Sequence, residues 1–288
     1  MAIAVLVQAH KYPQQINRML RPFYEYDDID IYVNIDKKID IDPFKDSLGE
    51  HVHFIENRVP IFWSNISQVN GMLNSFQEIL SKQKYYDNYI FMSGQDYIVT
   101  PIEDILSFLE KNKGKEFIEC EEISKDGLNW EVRYKKYHFT HLNNFWQKIG
   151  QLIRQLPFIN RTYPLFEKTY GGSAWFILTH QAIEYVVEFC RDHKPFVDFH
   201  KYSHCPDEYF FQTLLMNSHF RENIIHKNFW YIDWFSRSNN PKILCSSHFD
   251  RIIDSNNFFA RKFDYKIDSD VLDMIDRHKW QKRSSNLN

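Results

Sequence analysis

The sequence predicts an α/β protein built on a single Rossmann-like sheet, and three observations carry the expectation. Residues 3–7 form a continuous apolar run that ends in the polar turn Gln8-Ala9-His10-Lys11, as a buried parallel strand does. Strand and helix signals then alternate, the order that builds a parallel sheet with helices on its faces. The most strand-like run, Tyr89-Ile90-Phe91-Met92, breaks into Ser93-Gly94-Gln95-Asp96-Tyr97, where a glycine permits a sharp turn and polar groups project beyond the strand.

In chain order, a helix is expected over 13–20 and a second strand over 29–34, closing on Ile35-Asp36-Lys37-Lys38; a third strand follows over 52–55. In such units ligands sit outside the carboxyl ends of the strands, and His10 and Asp36 fall at those ends. No G-x-G-x-x-G and no P-loop occurs, so neither a dinucleotide cofactor nor a P-loop phosphate site is supported. Val69, Leu73, Phe76 and Leu80 mark one face of a helix over 66–80, and another helix is expected over 101–111. A strand over 115–120 leads into Glu121-Glu122 and a mixed segment containing Trp130 and Arg133.

Phe145, Trp146, Ile149, Leu152, Ile153 and Leu156 recur at helical spacing with Lys148, Arg154 and Arg161 close by, which predicts a basic amphipathic helix. The plainer reading, preferred at this point, is an ordinary helix packed on the sheet. The functional one is a surface that touches a membrane or a lipid-linked substrate. Gly171-Gly172-Ser173 is a glycine turn entering a strand that runs to Thr179, with a helix after it over 181–191.

The segment Cys205-Pro206-Asp207-Glu208-Tyr209-Phe210-Phe211 reads as a helix start: proline suits a first helical position and acidic residues there face the positive end of the dipole. Phe210, Phe211, Leu214 and Leu215 fasten one face to the core, leaving Glu208 at the helix mouth, where an ionised carboxylate can accept a proton. An acidic first turn also merely complements a dipole, and the segment alone does not separate the two. Phe259-Ala260-Arg261-Lys262-Phe263 places two adjacent cations between aromatics; a diphosphate would satisfy both, and so would a pair of salt bridges. The polar, basic residues 277–288 are expected to fray.

With 43% hydrophobic residues and 17% aromatics among 288, the chain can build a real core, and a formal charge of -3 argues against a dedicated nucleic-acid binder. No apolar run approaches the length of a membrane-spanning helix and the start has no basic leader, so a strand is expected there and not a signal peptide. Cys120, Cys190, Cys205 and Cys245 lie far apart, as free thiols of a reducing compartment would. Three D-x-D triplets, at 28–30, 40–42 and 268–270, read as surface acids in preference to metal sites, and His200, His204 and Cys205 lack an evident fourth ligand for zinc.

Taken in order, the His10 turn, Asp36-Lys37-Lys38, Ser93-Gly94-Gln95-Asp96-Tyr97, Gly172-Ser173-Ala174-Trp175, Pro206-Asp207-Glu208, Asp233-Trp234 and Phe259-Ala260-Arg261-Lys262-Phe263 resemble the core-2/I-branching N-acetylglucosaminyltransferases and peptide xylosyltransferases, over nearly the whole chain. The resemblance implies a GT-A type fold in one domain spanning 1–288, with a mainly nucleotide-binding half (1–120), a mainly acceptor-binding and catalytic half (121–265) and a C-terminal helix and tail (266–288). It also implies inverting, metal-independent transfer of a sugar, N-acetylglucosamine first among the candidates, from a UDP-sugar to an acceptor hydroxyl, with no cofactor. By position Glu208 would be the catalytic base. Arg261 and Lys262 would neutralise the departing UDP. The His10 turn and Asp36 would hold uridine, with Gln95 and Asp96 lining the donor pocket. Glu121, Arg133, Ser173 and Trp234 would lie on the acceptor side, where an aromatic face suits the C–H face of a sugar ring.

Animal members of that family carry a membrane anchor, a stem and disulfides that this sequence does not show, which suggests a compact bacterial-type member. Its expected place is the cytoplasm, peripheral at the inner face of the membrane, with a glycan or lipid-linked saccharide as acceptor. Xylose, glucose and galactose remain alternative donor sugars. A non-catalytic carbohydrate-binding protein of the same fold is the alternative of a different class.

Overall fold

The structure is a computed structural model that describes residues 1–123, 130–140, 144–156, 158–234 and 240–286. Its strands are β1 (Ile3–Ala9), β2 (Ile29–Ile35), β3 (His53–Phe54), β4 (Asn88–Ser93), β5 (Asp96–Ile98), β6 (Glu116–Ile118), β7 (Glu121–Glu122), β8 (Tyr170–Gly171), β9 (Phe176–Thr179), β10 (Ile224–Ile225), β11 (Trp230–Ile232) and β12 (Phe259–Arg261). The main sheet has the order β10-β6-β9-β4-β1-β2-β3. β1 pairs in parallel with β2 and β4, β2 with β3, and β10 with β6, whereas β9 runs antiparallel between β4 and β6. The sheet is therefore mixed and mostly parallel, and the expected α/β class holds.

Alternation along β1 divides the core: Ile3, Val5, Val7 and Ala9 face one layer, while Ala4 and Leu6 face the other. The first layer includes α1 (Pro13–Leu20), where Ile16, Met19 and Leu20 are buried at helical spacing. It also receives α2 (Asp42–Leu48), through Phe44 and Leu48. The second layer receives α3 (Ser67–Ser81), through Val69, Met72, Phe76 and Ile79. Burying both faces forces the ligand-accessible backbone to the sheet's edges. The strand directions then do the rest. The carboxyl ends of β1, β2, β4 and β6 and the amino end of β9 meet along one edge, because β9 alone among these is reversed.

A second sheet, β11-β12-β5, sets Arg261 opposite Asp96 in its antiparallel register, and a two-stranded ladder pairs Glu121 with Gly171.

Several expectations shift. The third strand shrinks to His53–Phe54. Pro206–Glu208 forms a 3-10 turn, Tyr209 (φ -149, ψ -6) interrupts it, and the helix proper runs Phe210–Met216. Glu208 thus precedes that helix instead of opening it. All seven of the helix residues are buried; Gln212 Nε2 donates to Ser173 O (2.7 Å), and Thr213 Oγ1 accepts from Tyr170 N and donates to Tyr170 O. The C-terminal residues do not fray where expected: a helix continues from Asp270 to Asn286, held by ion pairs of Arg18 to Asp273 and Asp276 and of Arg283 to Glu25. Among the described residues, no helix is long and apolar enough to cross a membrane.

Candidate active site

Along that sheet edge lies a cleft of about 1250 Å³. His10 comes from the end of β1, Asp36 from the end of β2, Gln95 from the turn after β4, and Ser173 from the approach to β9. Glu208, Arg261, Lys262, Glu121, Arg133 and Trp234 reach the same cleft from the surrounding segments. Ten of the eleven side chains singled out in the sequence are brought together here.

One part of the cleft is cationic. Arg261 lies over the ring of Trp175, 3.9 Å from its centroid, and Trp175 itself stacks on Phe91 of β4. Its Nε approaches Asp96 Oδ1 at 3.2 Å. Burial pulls the Lys262 ammonium below its ordinary pKa, and the neighbouring charges of Arg261 and Lys11 act the same way. The loop after β4 fixes this corner, with Gln95 Nε2 donating to Phe263 O at 3.2 Å and Phe263 N donating to Gln95 O at 2.8 Å. Nearby, Asp36 Oδ1 accepts from Lys38 N and Ile61 N (3.0 and 3.1 Å), so its carboxylate organises the loop wall. Burial, then Lys11, lowers the pKa of His10 and favours the neutral imidazole.

The other part is acidic. Glu119, Glu121, Glu122, Asp207 and Glu208 line it, with Arg133 among them. Glu208 Oε2 is held by Arg133 Nη1, and the Arg133 guanidinium lies 4.1 Å from the centroid of the Trp130 ring. Gly172 N donates to Glu208 O at 2.8 Å, while a Cβ on Gly172 would stand 2.0 Å from Glu119 O. Only glycine lets the two walls close this tightly. Burial, and next the charge of Glu208, raise the pKa of Asp207, whose Oδ2 accepts from Gln68 Nε2 at 3.3 Å. Arg261 feels the charges of Asp96, Asp207 and Glu208, so it is the hinge between the two electrostatic halves.

Asp96 requires a correction. It does not line the cleft: it is fully buried behind Arg261, accepting from Ser93 N, Ser93 Oγ and Trp230 Nε1 at 2.9, 2.6 and 3.0 Å. A strand alternates its side chains, and this one turns inward. The D-x-D acids have structural duties, Asp30 pairing with Lys84 and Asp268 accepting from Ser246 N. His200 is buried between Phe196 O and the Tyr163 hydroxyl, and burial lowers its pKa to about 3. Among the described residues, no three His, Cys, Asp or Glu side chains gather as a metal site would require.

A family model described as Core-2/I-Branching enzyme matches residues 2–253. The chain belongs to the core-2/I-branching enzyme family. Xylosyltransferase 2 of Rattus norvegicus is 27% identical, covering 96% of this chain and 33% of its own length. Xylosyltransferase 1 of Canis lupus familiaris is 24% identical, over 94% of this chain and 30% of its own. The chain spans about a third of the length of the curated relatives it matches. Among solved structures, a 4-diphosphocytidyl-2C-methyl-D-erythritol synthase covers 68% of this chain and 84% of its own at 10% identity, with a TM-score of 0.37, too slight a likeness to carry an argument.

For this core-2/I-branching chain, sequence reasoning missed Trp63, Trp130 and Trp175 as cleft residues, although with Trp234 they put four of seven tryptophans in the cleft lining. Glu119 was also missed. It directly follows the strand residue Ile118, and the sequence reading, which runs that strand to residue 120, hid it from the strand-end rule that found His10 and Asp36.

Proposed function

We propose that the cleft moves a sugar from a UDP-sugar to a hydroxyl of a glycan or lipid-linked saccharide, with inversion and without a metal ion. Glu208 takes the proton from the incoming hydroxyl as its oxygen attacks the anomeric carbon, and one carboxylate suffices because no covalent intermediate forms. The glycosidic electron pair leaves with UDP. Arg261 receives the growing diphosphate charge through its planar fork and Lys262 through a point charge. The observation that supports this most is that Glu208, Arg261 and Lys262 line one cleft, with Arg261 within the electrostatic reach of Glu208.

N-acetylglucosamine is the first donor sugar to test, as the motif resemblance suggests. The relatives described as xylosyltransferases favour xylose as a second reading. Glu208→Gln is expected to keep UDP binding, read as a rise in melting temperature, while losing transfer. Transfer in both wild type and variant at equal rate sinks the assignment, and transfer abolished by EDTA and restored by Mn²⁺ sinks the metal-independent mechanism.

A further inference from the structure

Between Glu131 and Glu167 the chain has no acidic residue and six cations, Arg133, Lys135, Lys136, Lys148, Arg154 and Arg161. The formal charge of the whole is -3, so the remainder carries -9. Within this stretch a helix runs from Asn144 to Gln155. Its inner side is anchored: a Cβ on Gly150 would stand 2.4 Å from the Phe139 ring, and Arg154 Nη1 lies 2.9 Å from His138 Nδ1.

The outward side is not the one an ordinary packed helix presents. Phe145 and Leu152, two turns apart on one stripe, are each 66% exposed, and Lys148 stands between them at positions i+3 and i-4. Beyond the helix in the chain, Phe158 is 78% exposed and Leu165 62% exposed. Isolated apolar residues on a surface need no explanation, whereas an exposed phenylalanine and leucine flanking a lysine on one helix face do. The helix is joined to the cleft through its inner side, because His138, beside Arg154, stacks on His204, and His204 meets Trp63 on the cleft wall.

We propose that this face docks on the surface of an anionic lipid bilayer, with Phe145, Leu152 and Phe158 entering the headgroup layer and Lys148 pairing with lipid phosphate. The charge pattern selects this occupant: the exposed face carries Lys148 and no acidic residue lies between Glu131 and Glu167, so a bilayer of anionic lipid attracts this face and repels the acidic remainder, which orients the molecule. Apolar insertion then adds to the electrostatic attraction. Docking sets the cleft beside the membrane, where a lipid-linked acceptor presents its saccharide. That consequence rests on the glycosyltransferase reading, although docking itself does not.

The test is flotation of the full chain with vesicles, without any substrate. Wild type should bind vesicles of phosphatidylcholine with phosphatidylglycerol at least tenfold more strongly than phosphatidylcholine alone, and lose that preference in high salt. The triple variant Phe145→Ser, Leu152→Ser, Phe158→Ser should lose at least tenfold in partitioning, and Lys148→Glu several-fold. Both variants should keep the wild-type melting temperature, since each altered side chain is exposed. Absence of vesicle binding by wild type overturns the proposal. So does equal partitioning of the triple variant, or a concentration-dependent dimer that the same substitutions abolish, which would make a second copy the occupant. Loss of transferase activity on a soluble acceptor tests the proposed reaction and leaves vesicle binding as a separate result.

Discussion

Arg261 has two jobs in this structure, and one pair of variants separates them. Its guanidinium offsets the buried Asp96 carboxylate at 3.2 Å and, in the proposed reaction, receives the diphosphate. Replacing Arg261 by Met preserves much of the contact with Trp175 and leaves Asp96 with three neutral donors but no opposing charge. Removing one partner of a buried pair costs about 3–5 kcal/mol, and because Arg261 keeps 18% of its side chain exposed the lower figure, about 3 kcal/mol, is expected. In Arg261→Met, Asp96→Asn the lone charge is gone, and about 2 kcal/mol of that loss should return, since a neutral amide makes no such demand. UDP affinity should not return. A lost charge-assisted contact of about 2 kcal/mol is roughly a thirtyfold rise in Kd in both variants. Urea unfolding reads the first quantity and titration calorimetry with UDP the second. A single variant as stable as wild type, or a double variant that binds UDP normally, refutes the reasoning.

Glu116, buried and bound to Thr179 N and Oγ1 at 2.8 and 2.6 Å, has its pKa pushed up to about 7, chiefly by burial. A carboxyl raised from 4.5 in this way stabilises the fold fully below pH 4.5 and loses that contribution as pH rises through 7, about 3 kcal/mol in all. Urea unfolding of Glu116→Gln and wild type should therefore show their difference moving toward the variant by about that amount between pH 4.5 and 8, and a constant difference would falsify the assignment. Gly172→Ala should lower transfer at least tenfold while leaving UDP binding intact, because its Cβ must displace either Glu119 or the Glu208 backbone; wild-type kinetics would show that the walls yield. Arg161 is buried and donates to Tyr134 O, Tyr202 O, Ser203 Oγ and Phe199 O. Arg161→Ala orphans these acceptors at a cost of about 3 kcal/mol in urea, and Arg161→Lys should recover only part of it, lacking the planar fork.

The edge of the sheet was legible in the sequence because strand ends are marked twice, by an apolar run and by the polar turn that stops it. His10, Asp36 and Gln95 follow from that pattern alone. Arg261 and Lys262 drew notice as adjacent cations between aromatics, and the structure gives one of the two an ion pair, with Asp96. What pattern could not supply is pairing across distance. Arg133 and Glu208 are 75 residues apart, and no periodicity reports their contact. Asp96 was misplaced for a related reason: the sequence shows a carboxylate beyond a glycine turn, but the register that sets it against Arg261 and Trp230 exists only once β12 has joined β5. The amphipathic helix was read correctly as a helix, and periodicity, which shows that a face is apolar, says nothing about what covers it.

The Arg133–Glu208 pair bears on how a hydroxyl can be activated here. With Oε2 held by Arg133, the proton-accepting role in the proposed reaction falls to Oε1, and the direction of that oxygen is set by a guanidinium that is itself braced on Trp130. The backbone of the same residue is tied through Gly172 N, so Glu208 is located from two sides, by β8 and its following turn and by the Trp130 segment. A base held this way loses little orientational freedom when the acceptor arrives, and the aromatic wall that braces Arg133 is the wall a sugar ring would lie against. Acceptor contact and orientation of the base are therefore coupled through one side chain. A change at Trp130 should then disturb the rate of proton removal as well as acceptor affinity, whereas a change at Trp234, which touches neither Arg133 nor Glu208 among the described contacts, should act on affinity alone.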